Sequence, residues 1–317
     1  YGVRGIAGRW FKSYLSDRSQ CVKIRGNSSD LLPVNCGVPQ GSTLGPLLFL
    51  LNINDLPNVL QRSTPIVFAD DTSVFLSGDV LDNTVSVLNS EMQELFIWLQ
   101  TNKLSLNLKK TKSMLWSLSP TTKTINPHIV INNNYIERVK SIRFLGIIFD
   151  DHLSWNEHIS YIANKISCSI GVIGKVKHSL PREALITLYY SLIYPYLTYC
   201  NLVWGRASST SLNKLHLLQK KFVRIITFSR YTDHTLHLFQ EIRIIPFPEV
   251  NKYLVSIFVY KCFHNILPST FLHSYNLFSN SNRINTNTRS SESMFRLPFA
   301  RTKLRQDFLF YQCIKIY

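Results

Sequence analysis

In the first half of the chain, the spacing of apolar residues follows two different patterns. Some runs repeat every three to four residues, which predicts amphipathic helices, and others are short and rich in β-branched and aromatic residues, which predicts strands. The predicted elements, in chain order, are a helix over 5–15, a strand over 20–24, a helix over 44–53, strands over 66–68 and 72–76, a helix over 82–101, and strands over 113–118, 128–131 and 139–149. This order predicts helices packed on an antiparallel sheet.

The second half of the chain shows helical periodicity almost throughout. The predicted helices cover 159–180, 181–202, 211–227 and 248–267. Residues 184–204 carry no charge and are numerous enough to span a bilayer, but Pro195, Asn201 and several tyrosines favour a buried helix instead. The change of pattern predicts three regions: a mixed domain over 1–150, a helical domain over 151–275, and a flexible linker with a basic tail over 276–317.

The charge balance indicates a polyanionic partner. The chain has 35 Lys and Arg against 19 Asp and Glu, a formal net charge of +16. Nucleic acid fits this charge best and a membrane surface second. The six cysteines form no C-x-x-C pair, which argues against a zinc site or a dense disulfide framework.

The predicted hairpin at 66–76 carries two adjacent acids, Asp70 and Asp71, at its tip. Hard divalent cations prefer carboxylate oxygens, so this pair is a candidate metal site. A solvated turn is the ordinary alternative for such a dipeptide.

Four sequence motifs favour a metal site over a solvated turn at Asp70 and Asp71. They are GVPQGSTLGPLLF at 37–49, FADD at 68–71, LNLKKTK at 106–112 and FLG at 144–146. Together, and in this order, they resemble the reverse transcriptases of non-LTR retrotransposons, jockey-like elements in particular. The segment YCNLVWG at 199–205 also looks like the C-terminal part of such open reading frames.

The resemblance implies a fold and a set of roles. The fold would be α/β, a partial right-hand palm with an antiparallel sheet and helices, followed by an all-α thumb. Asp70 would be the direct metal ligand and Asp71 a supporting one, with Mg²⁺ as the cofactor, two ions in the complete enzyme, and Mn²⁺ as a substitute. The partners would be an RNA template, a DNA primer and deoxynucleotide triphosphates, and the parent element would act in the nucleus.

Further residues are assigned by the same resemblance. Pro39, Gln40 and Gly41 would contact nucleotide and template, although the same residues could only shape a turn. Lys110 would neutralise or protonate the leaving pyrophosphate, or it is a solvated cation. The turn Phe144, Leu145 and Gly146 would grip the primer.

The predicted helix over 211–227 adds a candidate duplex-facing surface. Its apolar seam leaves four basic side chains elsewhere, Lys214, Lys220, Lys221 and Arg224. These cations would bind phosphates, unless they form an ordinary solvated face.

The resemblance also implies a catalytic aspartate on a strand that would precede Tyr1. We therefore expect the chain by itself to lack a complete metal site. A catalytically inactive nucleic-acid-binding remnant, or a genomic relic, is the alternative to a working polymerase.

Overall fold

The structure, a computed structural model, describes residues 2–117, 119, 125–269, 271 and 309. The chain divides into two compact units, Tyr1–Val139 and Lys140–Tyr317. Most of the predicted linker and tail, 276–317, lies outside the described residues. The assignment of the three predicted regions to palm, thumb and tail stays a prediction.

The first unit mixes helices with short antiparallel strand pairs. Its elements are helix α1 (Gly5–Leu15), strands β1 (Arg18–Gln20), β2 (Lys23–Ile24), β3 (Asn27–Ser28) and β4 (Leu32–Val34), helix α2 (Gly45–Ile53), a 3-10 turn (Leu56–Val59), strands β5 (Thr64–Phe68) and β6 (Asp71–Phe75), helix α3 (Leu81–Thr101), and strands β7 (Val130–Ile131) and β8 (Asn134–Tyr135). The pairs are β1 with β4, β2 with β3, β5 with β6 and β7 with β8. Among the described residues these pairs do not join into a larger sheet.

Two strand predictions in this unit were wrong. The continuous strand over 20–24 is divided between β1 and β2, which pair with different partners. The strand over 113–118 is reduced, in the described residues, to a single bridge between Ser113 and Arg138. Both segments contain apolar runs too short to decide between a strand and an extended loop from periodicity alone.

Helix α3 organises the core of the first unit, as its apolar stripe predicts. Met92 and Leu95 are buried, and the other stripe residues are partly buried around them. They pack with buried side chains from the 3-10 turn and from the region around β7: Leu56, Leu60, Ile129, Ile131 and Ile136. Burying a side chain of this size contributes roughly 1.5–3 kcal/mol, so this cluster is the main support of the unit.

The second unit consists of one hairpin and a set of helices. Strands β9 (Ser141–Phe144) and β10 (Ile147–Asp150) pair antiparallel and precede helices α4 (Asn156–Val176), α5 (Arg182–Leu192), α6 (Tyr194–Thr198), α7 (Asn201–Trp204), α8 (Ser209–Ile226), α9 (Leu236–Glu241) and α10 (Phe247–Phe263). The single strand predicted over 139–149 was wrong. Leu145 and Gly146 both adopt positive φ and turn the chain back on itself.

The core of the second unit lies between α4 and α8. Five isoleucines of α4 at spacings of three and four are almost fully buried: Ile159, Ile162, Ile166, Ile170 and Ile173. They pack in one cluster with the predicted seam of α8, in which Leu215, Phe222 and Ile226 are buried. The amphipathic patterns of both helices are therefore confirmed.

The single helix predicted over 181–202 was wrong, because the structure divides it into α5, α6 and α7. Pro195 has no N–H to continue the helical ladder, and Cys200 adopts a left-handed φ of +50°. Apolar side chains from all three segments are fully buried, including Tyr189, Leu197 and Trp204, which agrees with the expected burial of this uncharged stretch. Of the helices that the structure describes, none combines the length and apolarity needed to cross a bilayer.

A buried glutamine ties three helices of this unit together. Gln219 of α8 is fully buried, and its amide nitrogen donates to the Tyr189 hydroxyl at 2.8 Å and to the Ile245 carbonyl at 2.9 Å. Its amide oxygen accepts from the Phe247 N–H at 2.7 Å. Because each polar atom has a partner, this network specifies the packing without an unsatisfied group.

Candidate functional site

Asp70 and Asp71 lie at the tip of the β5–β6 hairpin, as the sequence predicts. Phe68 pairs with Asp71, so Ala69 and Asp70 form a two-residue turn. Ala69 has a φ of +51°, a conformation that costs a residue with a Cβ roughly 1–2 kcal/mol. Both aspartates are exposed, which leaves their carboxylate oxygens open to a cation or to water.

A buried carboxylate holds the chain where it enters this hairpin. Glu91 of α3 is 6% exposed and accepts hydrogen bonds from the backbone N–H groups of Gln61, Arg62 and Ser63, at 3.0, 2.6 and 3.0 Å. The Ser63 hydroxyl donates to it as well. Burial raises the pKa of Glu91, but these hydrogen bonds outweigh burial and hold the pKa below its ordinary value. The carboxylate thus fixes the residues that lead directly into β5.

The loop before α2 is shaped by two glycines and a serine. Gly37 and Gly41 both have a φ of +77°, where glycine is favoured. The Ser42 hydroxyl donates to the Pro39 carbonyl at 2.7 Å and accepts from the Gly45 N–H at 3.0 Å. A Cβ on Gly45 would lie 3.0 Å from that hydroxyl oxygen, so this position has no room for a side chain without movement.

This loop separates the predicted nucleotide-binding residues from the helix. Helix α2 begins only at Gly45, so Gln40 and Gly41 lie in an exposed turn rather than at the helix N-terminus. Pro39 is half-buried beneath them. Gln40 and Gly41 thus precede the helix, as the sequence predicts, and the exposure of the turn allows close approach; their contact with nucleotide and template stays a prediction.

Lys110 lies in a tight turn after α3. Its backbone N–H donates to the carbonyl and to the side-chain oxygen of Asn107, at 3.0 and 3.2 Å. The neighbouring Lys112 forms an ion pair with Glu137, whereas Lys109 and Lys110 are exposed. Within the part of the chain that the structure describes, Lys112 is thus the one of these three lysines that pairs with an acidic side chain.

Phe144, Leu145 and Gly146 form the β9–β10 turn in the second unit. Two consecutive positive φ values, +46° and +85°, are typical of the two-residue turn that matches the strand twist. Leucine is an unusual residue in this conformation. Its carbonyl accepts a hydrogen bond of 2.6 Å from the Tyr199 hydroxyl.

The four basic side chains of α8 do not share one environment. Lys214 and Lys221 are exposed, and Lys220 is half-buried. Arg224 donates from two nitrogens to the Asp233 carbonyl, at 3.1 and 2.9 Å, and lies over the Tyr231 ring. Its guanidinium is therefore occupied in holding the loop after α8.

Asp150, Asp151 and His152 bring three potential metal-binding atoms together, a group that the sequence analysis did not select. The Asp150 carboxylate is already engaged, because it accepts from the N–H groups of His152, Ser154 and Trp155 at 3.0, 2.9 and 2.8 Å. Burial raises the pKa of Asp150, and these hydrogen bonds more than reverse that effect, so the pKa lies below its ordinary value. The arrangement is that of a turn closing the entry to α4. Among the described residues, no such three-ligand group includes Asp70 or Asp71.

Comparison with known proteins identifies the class to which the first half belongs. Residues 2–149 match the family described as reverse transcriptase (RNA-dependent DNA polymerase). The first half of the chain therefore matches a reverse transcriptase domain, and the relatives that the chain resembles are RNA-directed DNA polymerases of mobile elements. The resemblance seen in the sequence motifs is thereby confirmed.

Three relatives from Drosophila melanogaster illustrate the similarity. The chain is 24% identical over 252 residues to the probable RNA-directed DNA polymerase from transposon X-element, 25% over 248 residues to the RNA-directed DNA polymerase from mobile element jockey, and 28% over 236 residues to the probable RNA-directed DNA polymerase from transposon BS. These alignments cover 76%, 74% and 69% of the chain, so they extend beyond residue 149 into the helical unit. The chain spans about a quarter of the length of these relatives: 27%, 26% and 25%. No solved structure matches the chain significantly.

Proposed function

We propose that this chain is part of an RNA-directed DNA polymerase that extends a DNA primer on an RNA template with deoxynucleotide triphosphates. The observation that carries the proposal is the exposed pair Asp70 and Asp71 at a hairpin tip, within the segment that matches the reverse transcriptase family. In this proposal residues 1–150 are part of the palm and residues 151–275 are the thumb and connection.

The two carboxylates fit a divalent cation. Their oxygens are hard ligands, they are exposed, and Mg²⁺ or Mn²⁺ is the cation that such a donor set suits. Asp70, in the turn itself, is the direct ligand and Asp71, the first residue of β6, supports it. When bound, a pair of Mg²⁺ ions supplies charge stabilisation of the attacking and leaving oxygens.

The other candidate residues of the first unit contact the nucleotide and the template. The primer 3′-oxygen attacks the α-phosphorus, and the bond to the pyrophosphate oxygen breaks. Lys110 neutralises the negative charge of the departing pyrophosphate or gives it a proton. The exposed turn at Gln40 and Gly41, supported by Pro39, lets the base pair or a phosphate approach the backbone closely.

The second unit holds the duplex. The turn at Phe144, Leu145 and Gly146 contacts the primer through its backbone. Lys214, Lys220 and Lys221 bind phosphates without reading sequence, which makes affinity strongly salt-dependent. Arg224 belongs to the same surface, but its bonds to the Asp233 carbonyl leave it a smaller part in phosphate binding.

Two aspartates alone provide too few ligands for a pair of metal ions. Because the described residues place no third ligand beside Asp70 and Asp71, we propose that the metal site needs a further carboxylate and that this chain by itself is inactive. The same observation favours the second candidate, an inactive nucleic-acid-binding remnant, for which the charge of +16 would suffice.

Primer extension on an RNA template with Mg²⁺ tests the proposal. We compare the chain, a version extended upstream through its own coding sequence, and the extended version with Asp70→Asn. Asp79→Asn, at an exposed aspartate outside the hairpin, is the matched control. Activity in the extended version and in the control, lost with Asp70→Asn, is the expected result. If none of the forms extends the primer, the result supports the inactive nucleic-acid-binding remnant. If the short chain extends the primer and needs Asp70 to do so, the proposal that this chain is inactive by itself is wrong.

A further inference from the structure

The β9–β10 turn needs an external support. Leu145 adopts a left-handed φ of +46°, which costs a side-chain-bearing residue roughly 1–2 kcal/mol relative to its preferred conformations. Gly146 follows at +85°, where glycine is at ease. A turn of this kind keeps one shape only if something outside it holds the strained residue.

Tyr199 supplies that support from a residue far along the chain. Its hydroxyl donates to the Leu145 carbonyl at 2.6 Å. Its ring also covers the next residue, because a Cβ built on Gly146 would lie 3.4 Å from the Tyr199 Cε1 atom. Tyr199 thus bonds to one residue of the turn through its hydroxyl and places its ring beside the other.

The position of Tyr199 is fixed in turn by a buried neighbour. The indole N–H of Trp204 donates to the Tyr199 carbonyl at 2.8 Å. Trp204 is fully buried and stacks on Phe247, with ring centroids 6.2 Å apart. Because Trp204 belongs to the core of the second unit, the backbone of Tyr199 is tied to that core.

A buried asparagine pair completes the segment. Asn201 donates to the Leu197 carbonyl at 2.9 Å, and its side-chain oxygen accepts from Asn251 at 3.0 Å. A Cβ on Gly205 would collide with the Asn201 carbonyl and with the Asn251 amide, so glycine is needed there. The polar contacts of the YCNLVWG segment therefore hold one local structure, and this structure positions the Tyr199 hydroxyl.

We propose that Tyr199 is a positioning residue for the primer, which it serves by holding the Phe144–Gly146 turn in the shape that contacts the primer end. This rests on the proposed function, in which the turn is the primer contact. It extends that function by giving the YCNLVWG segment a role. Tyr199 acts through the hydrogen bond to Leu145 and not through the chemistry at Asp70.

Equilibrium binding tests this inference without requiring catalysis. Fluorescence anisotropy measures the affinity of the full chain for a labelled DNA primer recessed on an RNA template, and for a blunt duplex of the same length, without metal or nucleotide. Tyr199→Phe removes one hydroxyl and keeps the ring over Gly146, so the fold is retained. Tyr190→Phe, at an exposed tyrosine of α5, is the matched control.

The expected result is selective. Tyr199→Phe weakens binding of the recessed primer about five-fold, the usual effect of losing one hydrogen bond, and leaves blunt duplex binding and Tyr190→Phe unchanged. If Tyr199→Phe binds the recessed primer with the affinity of the wild type, or loses affinity equally for both duplexes, the inference is wrong. The two proposals can fail separately. If no version extends a primer but Tyr199→Phe still loses affinity only for the recessed primer, the polymerase function is wrong and the positioning role of Tyr199 stands.

Discussion

Buried His158 should make the helical unit less stable as the pH falls below about 6.5. Its side chain is 2% exposed and packs edge-on against Trp204, with ring centroids 5.6 Å apart. Nδ1 accepts from the Ile148 N–H at 3.4 Å, and Nε2 is buried without a hydrogen-bond partner among the described residues. Burial, and then the positive charge of Arg143, lowers the pKa of His158 from 6.5 to about 4.

The size of the effect follows from proton linkage. The unfolded chain takes up a proton near pH 6.5, whereas the folded chain resists protonation of His158 down to about pH 4. Stability is therefore complete above pH 6.5, falls between 6.5 and 4, and has lost this contribution below pH 4. One pKa unit is worth about 1.4 kcal/mol, so the loss is roughly 3 kcal/mol in all, of which about 2 kcal/mol falls between pH 7.5 and 5.

Urea unfolding at pH 7.5, 6 and 5, followed by far-UV circular dichroism, measures this loss. His158→Phe keeps an aromatic ring against the core and removes the titration, so its stability should depend less on pH, from a lower starting value because the Ile148 N–H loses its acceptor. Burial, and then the charge of Lys220, also lowers the pKa of His216, so some slope remains in the variant. His237→Phe, at an exposed histidine of α9, is the control and should keep the wild-type slope. Parallel curves for the wild type and His158→Phe would refute the reasoning.

Three further substitutions test individual contacts. Gln219→Leu strands the buried Tyr189 hydroxyl and the Phe247 N–H, and should lower the unfolding free energy of the second unit by roughly 2–4 kcal/mol in urea titrations; a change below 1 kcal/mol would contradict the network. Glu91→Ala removes the acceptor of three backbone N–H groups, so the first unit should lose about 3 kcal/mol and residues 61–63 should exchange amide hydrogens faster; unchanged exchange would mean that this anchor is unnecessary. Gly146→Ala places a Cβ at a φ of +85° and should cost about 1 kcal/mol of stability, while equal stability would show that the turn is relaxed.

The sequence predicted the elements that repeat regularly. Helices α3, α4 and α8 follow from stripes of apolar residues, and the β5–β6 hairpin follows from two β-rich runs around Asp70 and Asp71. These signals are local, because each is complete within a short window. The candidate metal ligands were accessible to sequence reasoning for the same reason.

Features that depend on distant residues were missed. The β9–β10 turn places leucine at a positive φ, a choice that residue type disfavours, and its support lies at Tyr199. Glu91 reads in sequence as one more polar position of a surface helix, yet it is buried by the loop at 61–63. A glutamate adjacent to the apolar stripe residue Met92 was the available signal. The stripe alone gives no reason to expect backbone donors facing that position.

The most direct test of the central claim is a metal-specificity switch at Asp70. In the version extended upstream, Asp70→Cys replaces a hard oxygen ligand by a softer thiolate, which binds Mg²⁺ poorly and accepts Mn²⁺ better. We predict that RNA-templated primer extension by Asp70→Cys is lost in Mg²⁺ and recovers in Mn²⁺, whereas Asp79→Cys behaves like the wild type in both. Extension by Asp70→Cys that is undiminished in Mg²⁺, or that is lost equally in both metals, would contradict the assignment of Asp70 as the direct metal ligand.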